Sequence, residues 1–200
     1  MSAKTQWEER YASRELPWDT GTPDRHLIET IQDLAVKGAA ILEIGCGTGT
    51  NAIWLARQGF SVTAIDISDT AIREARKKAG QLRVSLNLQV MDFMKGSPGL
   101  KSFSFVFDRG VLHVFDKPRK RSLFAERVSR CLDEEGIWLS IIGSKDAPPR
   151  DTGPPMRSAL DIVKAVEDYF EILEMKAVRF DTTRAEPPKA WKVVMKKRLQ

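Results

Sequence analysis

Gly45, Gly47 and Gly49 crowd into five positions of the stretch ILEIGCGTGTNAIWLARQGFSVTAIDIS, which runs from Ile41 to Ser68. Glycines so placed let a loop backbone approach a ligand closely, and the helix that follows offers its N-terminus to an anion. The dinucleotide fingerprint G-x-G-x-x-G fails here, because its last position is Thr50. The Walker loop must end in Gly-Lys-Ser/Thr, and this loop has no lysine. Either the glycines make a plain tight turn from strand to helix, or they serve a nucleoside ligand without a pyrophosphate.

Three acids bear on that choice. Glu43 ends the first apolar run, Asp66 ends the second with Ile67 beside it, and Asp92 ends the third with Phe93 beside it. Each acid alone reads as a cap or turn residue. Together they line the ends of three consecutive strands, where ligands of open α/β sheets bind. S-adenosylmethionine suits the set. Its zwitterionic tail fits the glycine loop, and Glu43 can accept from its amine, directly or through water. Asp66 can take both ribose hydroxyls, and Asp92 can accept from the adenine amine while Phe93 packs on the ring.

The elements that must hold these residues follow from hydrophobic periodicity. AAILEI (Ala39 to Ile44) and FSVTAIDI are strands, and the helical pattern TNAIWLARQG between them stops at Gly59. Ser68 caps the helix DTAIREARKKAG, VSLNLQVMDF and SFSFVFDRG are further strands, and KPRKRSLFAERVSRCL is helical with proline in its first turn. GIWLSIIG, the helix SALDIVKAVEDY, and the strands FEILEMKAVRF and KAWKVVMKKR complete the chain. Alternating strands and helices imply an α/β fold with a doubly wound, Rossmann-like sheet. Only DTTRAEPP separates the last two strands, too short for a crossover helix, so the seventh strand must run antiparallel. We expect one domain over residues 1–200, with no second domain.

The 200 residues carry 32 basic and 27 acidic side chains, a net charge of +5. The excess sits in KPRKR (Lys117 to Arg121) and MKKR (Met195 to Arg198), which read as solvated surface rather than a nucleic-acid face. No apolar run reaches the length of a membrane span, and the N-terminus lacks a signal-peptide core. Cys46 and Cys131 fall in no metal-binding or disulfide pattern. The expectation is a cytoplasmic protein without a metal, without membrane or nucleic-acid partners, and monomeric or weakly dimeric.

The glycine loop and strand-end acids resemble those of the class I S-adenosylmethionine-dependent methyltransferases. WEERYASRELPWDTGTP (Trp7 to Pro23), FDRG (Phe107 to Gly110) and GPP (Gly153 to Pro155) are similar to the thiopurine, thiol and halide methyltransferases and the related tellurite-resistance enzymes. The resemblance implies S-adenosylmethionine as cofactor and an N-terminal segment, residues 1–23, that folds over it. It also implies that Trp7, Tyr11 and Trp18 contact the cofactor, that Arg109 binds it, and that the proline-rich loop 144–157 borders the active site.

Methyl transfer from a sulfonium is an in-line displacement that needs alignment and exclusion of water. Trp7, Tyr11 and Trp18 can supply a lid and a cation–π environment, or simply staple the first helix to the sheet. A thiol is partly ionised near neutral pH and needs no strong base. The expected acceptor is therefore a small molecule bearing a thiol or another soft nucleophile, a halide or a chalcogen oxyanion. A metabolite O- or N-methyltransferase is the alternative, with His113 as the base; a packed His113 is the competing reading. Arg109 can instead pair with Asp108, and Arg150 and Arg157 can attract an anionic acceptor or sit in solvent. Nucleic-acid amino methylation usually places Asn/Asp-Pro-Pro-aromatic after the fourth strand, where this chain has DRGV. A nucleoside-binding regulator without chemistry is a further reading that no residue marks.

Overall fold

The computed structural model describes residues 2–36, 40–99, 102–146 and 155–199. Seven strands form one sheet in the order β3-β2-β1-β4-β5-β7-β6. They are β1 Ala40–Ile44, β2 Ser61–Asp66, β3 Asn87–Val90, β4 Phe103–Arg109, β5 Leu132–Gly143, β6 Phe170–Arg179 and β7 Lys189–Lys197. β1 pairs parallel with β2, β2 with β3 and β4 with β5, and β7 runs antiparallel to both β5 and β6. The expected reversal of the last strand is thus present. The helices are α1 Ala3–Ser13, α2 Arg25–Asp33, α3 Thr50–Arg57, α4 Asp69–Gln81, α5 Pro118–Cys131 and α6 Ala159–Val166. No helix among the described residues is long and apolar enough to cross a membrane.

Two compact halves divide the chain: residues 1–99 with 181–184, and residues 100–180 with 185–200. In the first half, α3 packs on β2, and α4 packs on β2 and β3. Ser68 caps α4 through the Ala71 amide, and the buried Ala71, Ile72, Ala75 and Ala79 face inward. Ala75 is small for a reason. A Cβ placed on Gly49 would lie 2.8 Å from the Ala75 Cβ, so α3 and α4 meet where both side chains are minimal. Gly49 also has φ +81°, in the left-handed region that suits glycine.

The second half is built around Trp138, whose ring packs 5.8 Å from Phe124 and 5.1 Å from Phe170 between centroids. Its Nε1 donates to Asp108 Oδ2 at 2.9 Å, deep inside the sheet. Phe103, Phe105, Val106, Phe107 and Asp108 have no exposed surface, as expected of an interior strand covered on both faces. A capping box of Ser158 and Asp161 starts α6.

Three expectations change. The third strand shrinks from Val84–Phe93 to Asn87–Val90, because Asp92 closes a turn by accepting from the Met94, Lys95 and Gly96 amides. The fifth strand begins at Leu132, directly after α5, with a register irregularity opposite Phe103 to Phe105. Arg121, expected in solvent within KPRKR, is buried and donates to the Phe115 and Asp116 carbonyls at 2.8 and 2.7 Å.

Gly49→Ala should lower stability by about 2–4 kcal/mol, the sum of a left-handed alanine and an overpacked contact. Gly59, at φ +90° with open space around it, isolates the backbone part. Urea unfolding should place Gly59→Ala at about 1–2 kcal/mol and Gly49→Ala clearly beyond it.

Candidate functional site

The first half brings the glycine loop and the first two strand-end acids together. Gly45 and Cys46 donate their amides to the Ile65 carbonyl, at 2.8 and 3.0 Å, and so hold the loop against the end of β2. Asp66 then takes the Gly47 amide on Oδ2 at 2.8 Å and the Ser68 amide on Oδ1 at 2.9 Å. Burial pushes the Asp66 carboxyl above its usual range, against the pull of these two amides. Ile67 is half-buried in the turn that follows. Glu43 is buried at the end of β1 and accepts from Asn51 Nδ2 at 3.1 Å. Asn51 in turn accepts the Asp24 amide at 2.8 Å.

Asp92 stands apart from this pair in character. It is half-exposed, and its oxygens serve the Met94 amide and Lys95, at 3.0 and 3.4 Å. Phe93 beside it is buried.

The N-terminal segment is docked on this junction. Tyr11 is the buried residue of α1, and its hydroxyl lies where a Gly47 side chain would project, 2.9 Å from an added Cβ. Burial, followed by the Asp66 charge, raises the Tyr11 hydroxyl well above its ordinary value, so it stays protonated. Trp18 meets both Trp7 and Tyr11 edge to face, with centroids 5.8 and 6.3 Å apart. The three aromatic residues of the N-terminal motif therefore form one cluster. Arg10 lies over the Trp7 and Trp18 rings, 5.5 and 5.9 Å from their centroids.

Polar anchors that sequence reasoning missed hold the segment as well. Glu8 accepts from the Asp69 and Thr70 amides at the start of α4, and Lys4 pairs with Asp69. Asp19 accepts from Thr48 Oγ1 at 2.5 Å and Thr50 Oγ1 at 3.2 Å, and pairs with Lys78 at 3.4 Å. Pro17 accepts from Thr182 Oγ1 at 2.6 Å and the Thr183 amide at 3.0 Å, in the connection between β6 and β7. No periodic signal marks these residues in the sequence, because their partners lie far along the chain.

In the second half, Asp108 is occupied by Trp138 and by the Val111 and Leu112 amides, both at 3.1 Å. The Arg109 guanidinium lies over the Phe180 ring at 5.3 Å. His113 is buried in a 3₁₀ turn, Leu112–Val114, and its ring meets Phe180 edge to face. Its Nδ1 accepts the Gly143 amide at 2.8 Å. Arg157 donates to the His113 carbonyl at 2.6 Å and to Asp116 at 2.9 Å, and is largely buried rather than in solvent. Of the proline-rich loop 144–157, residues 147–154 lie outside the described residues, and with them Arg150 and the first two positions of GPP.

A family model described as a methyltransferase domain matches residues 41–136. The chain is 28% identical over 169 residues to the probable thiol methyltransferase 2 of Arabidopsis thaliana, covering 84% of this chain and 70% of that one. A structure solved in work on the conversion of a disulfide bond into a thioacetal group during echinomycin biosynthesis matches with a TM-score of 0.84 at 23% identity, covering 98% of this chain and 92% of that one. The magnesium protoporphyrin IX methyltransferase of Synechocystis PCC 6803, solved with bound S-adenosylmethionine, matches with a TM-score of 0.73 at 17% identity, covering 99% and 98%. At these identities the two structures share the fold.

Docking of the N-terminal segment should have an acid limit. Burial alone would raise Glu8 and Asp19, but the hydroxyl and amide donors around them, with the Lys78 charge at Asp19, hold both below their usual values. The Lys4 hydrogen bond does the same for Asp69. A carboxyl lowered in the docked state contributes to docking above its ordinary range and loses that contribution as pH falls through its lowered value. The near-ultraviolet circular dichroism of the Trp7–Tyr11–Trp18 cluster should hold from neutral pH to about 4.5 and decay below roughly 4. A transition between about pH 5 and 8 would show that other groups control docking.

Proposed function

We propose that the chain is a class I S-adenosylmethionine-dependent methyltransferase, and that it methylates a thiol or another soft, anionic atom of a small molecule. One observation carries the choice of acceptor. The Gly143 amide can only donate, so His113 Nδ1 must be the acceptor nitrogen of a neutral imidazole. The ring proton then lies on Nε2, and the single in-plane lone pair is already engaged. His113 is thereby a brace between the 3₁₀ turn and the end of β5, and an acceptor that arrives as an anion needs no base from it.

The residues at the glycine loop fit the cofactor. The loop accommodates no side chain at Gly47, and buried carboxylates stand at the ends of β1 and β2. Asp66 binds two amides, yet an ionised carboxylate offers about four lone-pair positions, which leaves capacity for ribose hydroxyls. Glu43 serves the amine, Gly45 to Gly49 the amino-acid tail, and Asp92 with Phe93 the adenine. When bound, the cofactor supplies an activated methyl group on a sulfonium. Trp7, Tyr11 and Trp18 exclude water and present ring faces that favour the cation, and Ile67 supplies an apolar contact. Arg109 is assigned to cofactor binding on the resemblance, held by its stacking on Phe180.

Similarity to a thiol methyltransferase supports the sulfur acceptor. A panel of thiols, sulfide, iodide, tellurite and selenite, with labelled cofactor, identifies the acceptor by its methylated product. His113→Gln should leave turnover within about tenfold, whereas loss of a general base costs roughly 10²–10⁴. The pH–rate profile should follow the acceptor's own pKa and move when a more acidic thiol is supplied. Abolished turnover in His113→Gln, with cofactor affinity intact, would replace this reading with an O- or N-acceptor that depends on a histidine base.

A further inference from the structure

The loop between α1 and α2 contributes a carboxylate to the glycine loop that no cofactor role accounts for. Asp19 uses one oxygen for Thr50 Oγ1 and the other for Thr48 Oγ1, so it straddles Gly49. Lys78, from α4, donates to the same Thr48 hydroxyl at 2.5 Å and faces Asp19 at 3.4 Å. Lysine, threonine and aspartate thus close a triangle of charge-assisted hydrogen bonds. Thr48 is buried, with Gly47 and Gly49 on either side of it, both at positive φ. A loop of that composition has little stiffness of its own, because each glycine leaves its backbone free to sample many conformations. Its opposite side is fixed at the Gly47 amide by Asp66. Side-chain anchoring at Thr48 and Thr50 comes from Asp19 and Lys78.

We propose that Asp19 is a positioning residue for methyl transfer: with Lys78 it latches the N-terminal segment to the threonines of the glycine loop, so that closing the segment and setting the loop's backbone are one event. The proposal rests on the methyltransferase reading for its functional consequence, but the latch itself is physical and stands independently of it. Tyr11 over Gly47 adds a second contact of the same segment with the same loop, eight residues earlier in the chain. A segment that touches the loop at both points can carry the loop's geometry to the aromatic cluster. The Asp19 carboxylate is the component whose charge both threonine hydroxyls and the lysine require.

The test uses Asp19→Asn, Lys78→Met, the double variant, and Lys78→Arg as the conservative replacement, all in the full chain. Amide exchange of the ligand-free protein should accelerate about tenfold in Asp19→Asn across both residues 7–19 and residues 46–51, with α6 unaffected. The cofactor KM should rise about tenfold with kcat within about threefold, the double variant should be no worse than the worse single one, and Lys78→Arg should restore most of the loss. Faster exchange confined to residues 7–19, with loop exchange and KM unmoved, makes Asp19 a local staple and overturns the proposal. Strictly additive losses in the double variant overturn the Lys78 partnership. Should the unaltered chain fail to bind S-adenosylhomocysteine in calorimetry, the methyltransferase reading falls, and the exchange of the two segments still decides the latch.

Discussion

A buried carboxylate at the end of β2 organises the first half of the protein. Asp66 collects one amide from the glycine loop and one from the turn into α4, and each hydrogen bond to a charged acceptor is worth about 1.5–3 kcal/mol. Those bonds oppose, without cancelling, the burial that pushes its carboxyl up. Through them the strand end, the loop and the helix start behave as one junction. Neighbouring strands inherit their placement from it: Glu43 pairs in register with Ala64, and Asp66 with Val90, two residues before Asp92. Even the docked N-terminal segment depends on this junction, because Tyr11 rests on Gly47 and Glu8 caps the helix that begins just beyond.

Around His113 the second half shows a different economy of charge. Arg121 and Arg157 spend their guanidinium donors on carbonyls of the turn itself, at His113, Phe115 and Asp116. Asp108 spends its acceptors on Trp138 and two amides. Asp108, Arg121 and Arg157 are thus committed to structure.

Periodicity carried most of the fold into view. Apolar runs such as Ile41–Ile44 and Phe103–Phe107 fill interior strands, and their pattern survives because burial on both faces demands it. The places of Glu43 and Asp66 near the ends of β1 and β2 were legible for a related reason: chain direction in a parallel sheet puts strand ends on one edge. Asp19 was not legible, since a carboxylate after a tryptophan in a loop has no periodic signature and its partners lie about thirty and sixty residues away. Arg157 and Arg121 misled for the opposite reason. Charge in a sequence reads as surface, and only tertiary carbonyls can make a buried guanidinium tolerable. The Asp92 turn shortened a strand that alternation alone extends to Phe93, because a side-chain cap competes with the ladder locally.

Pro17 is held by Thr182 and Thr183, across nearly the full length of the chain. During synthesis Pro17 must therefore wait for residues 182 and 183 before its docking is complete. The glycine loop and the β1–β2 and β2–β3 pairs can condense meanwhile, since both members of each pair lie within the first hundred residues. A nascent chain paused before residue 180 would hold its N-terminal segment through Glu8 and Asp19, with the Pro17 carbonyl still waiting for its partners.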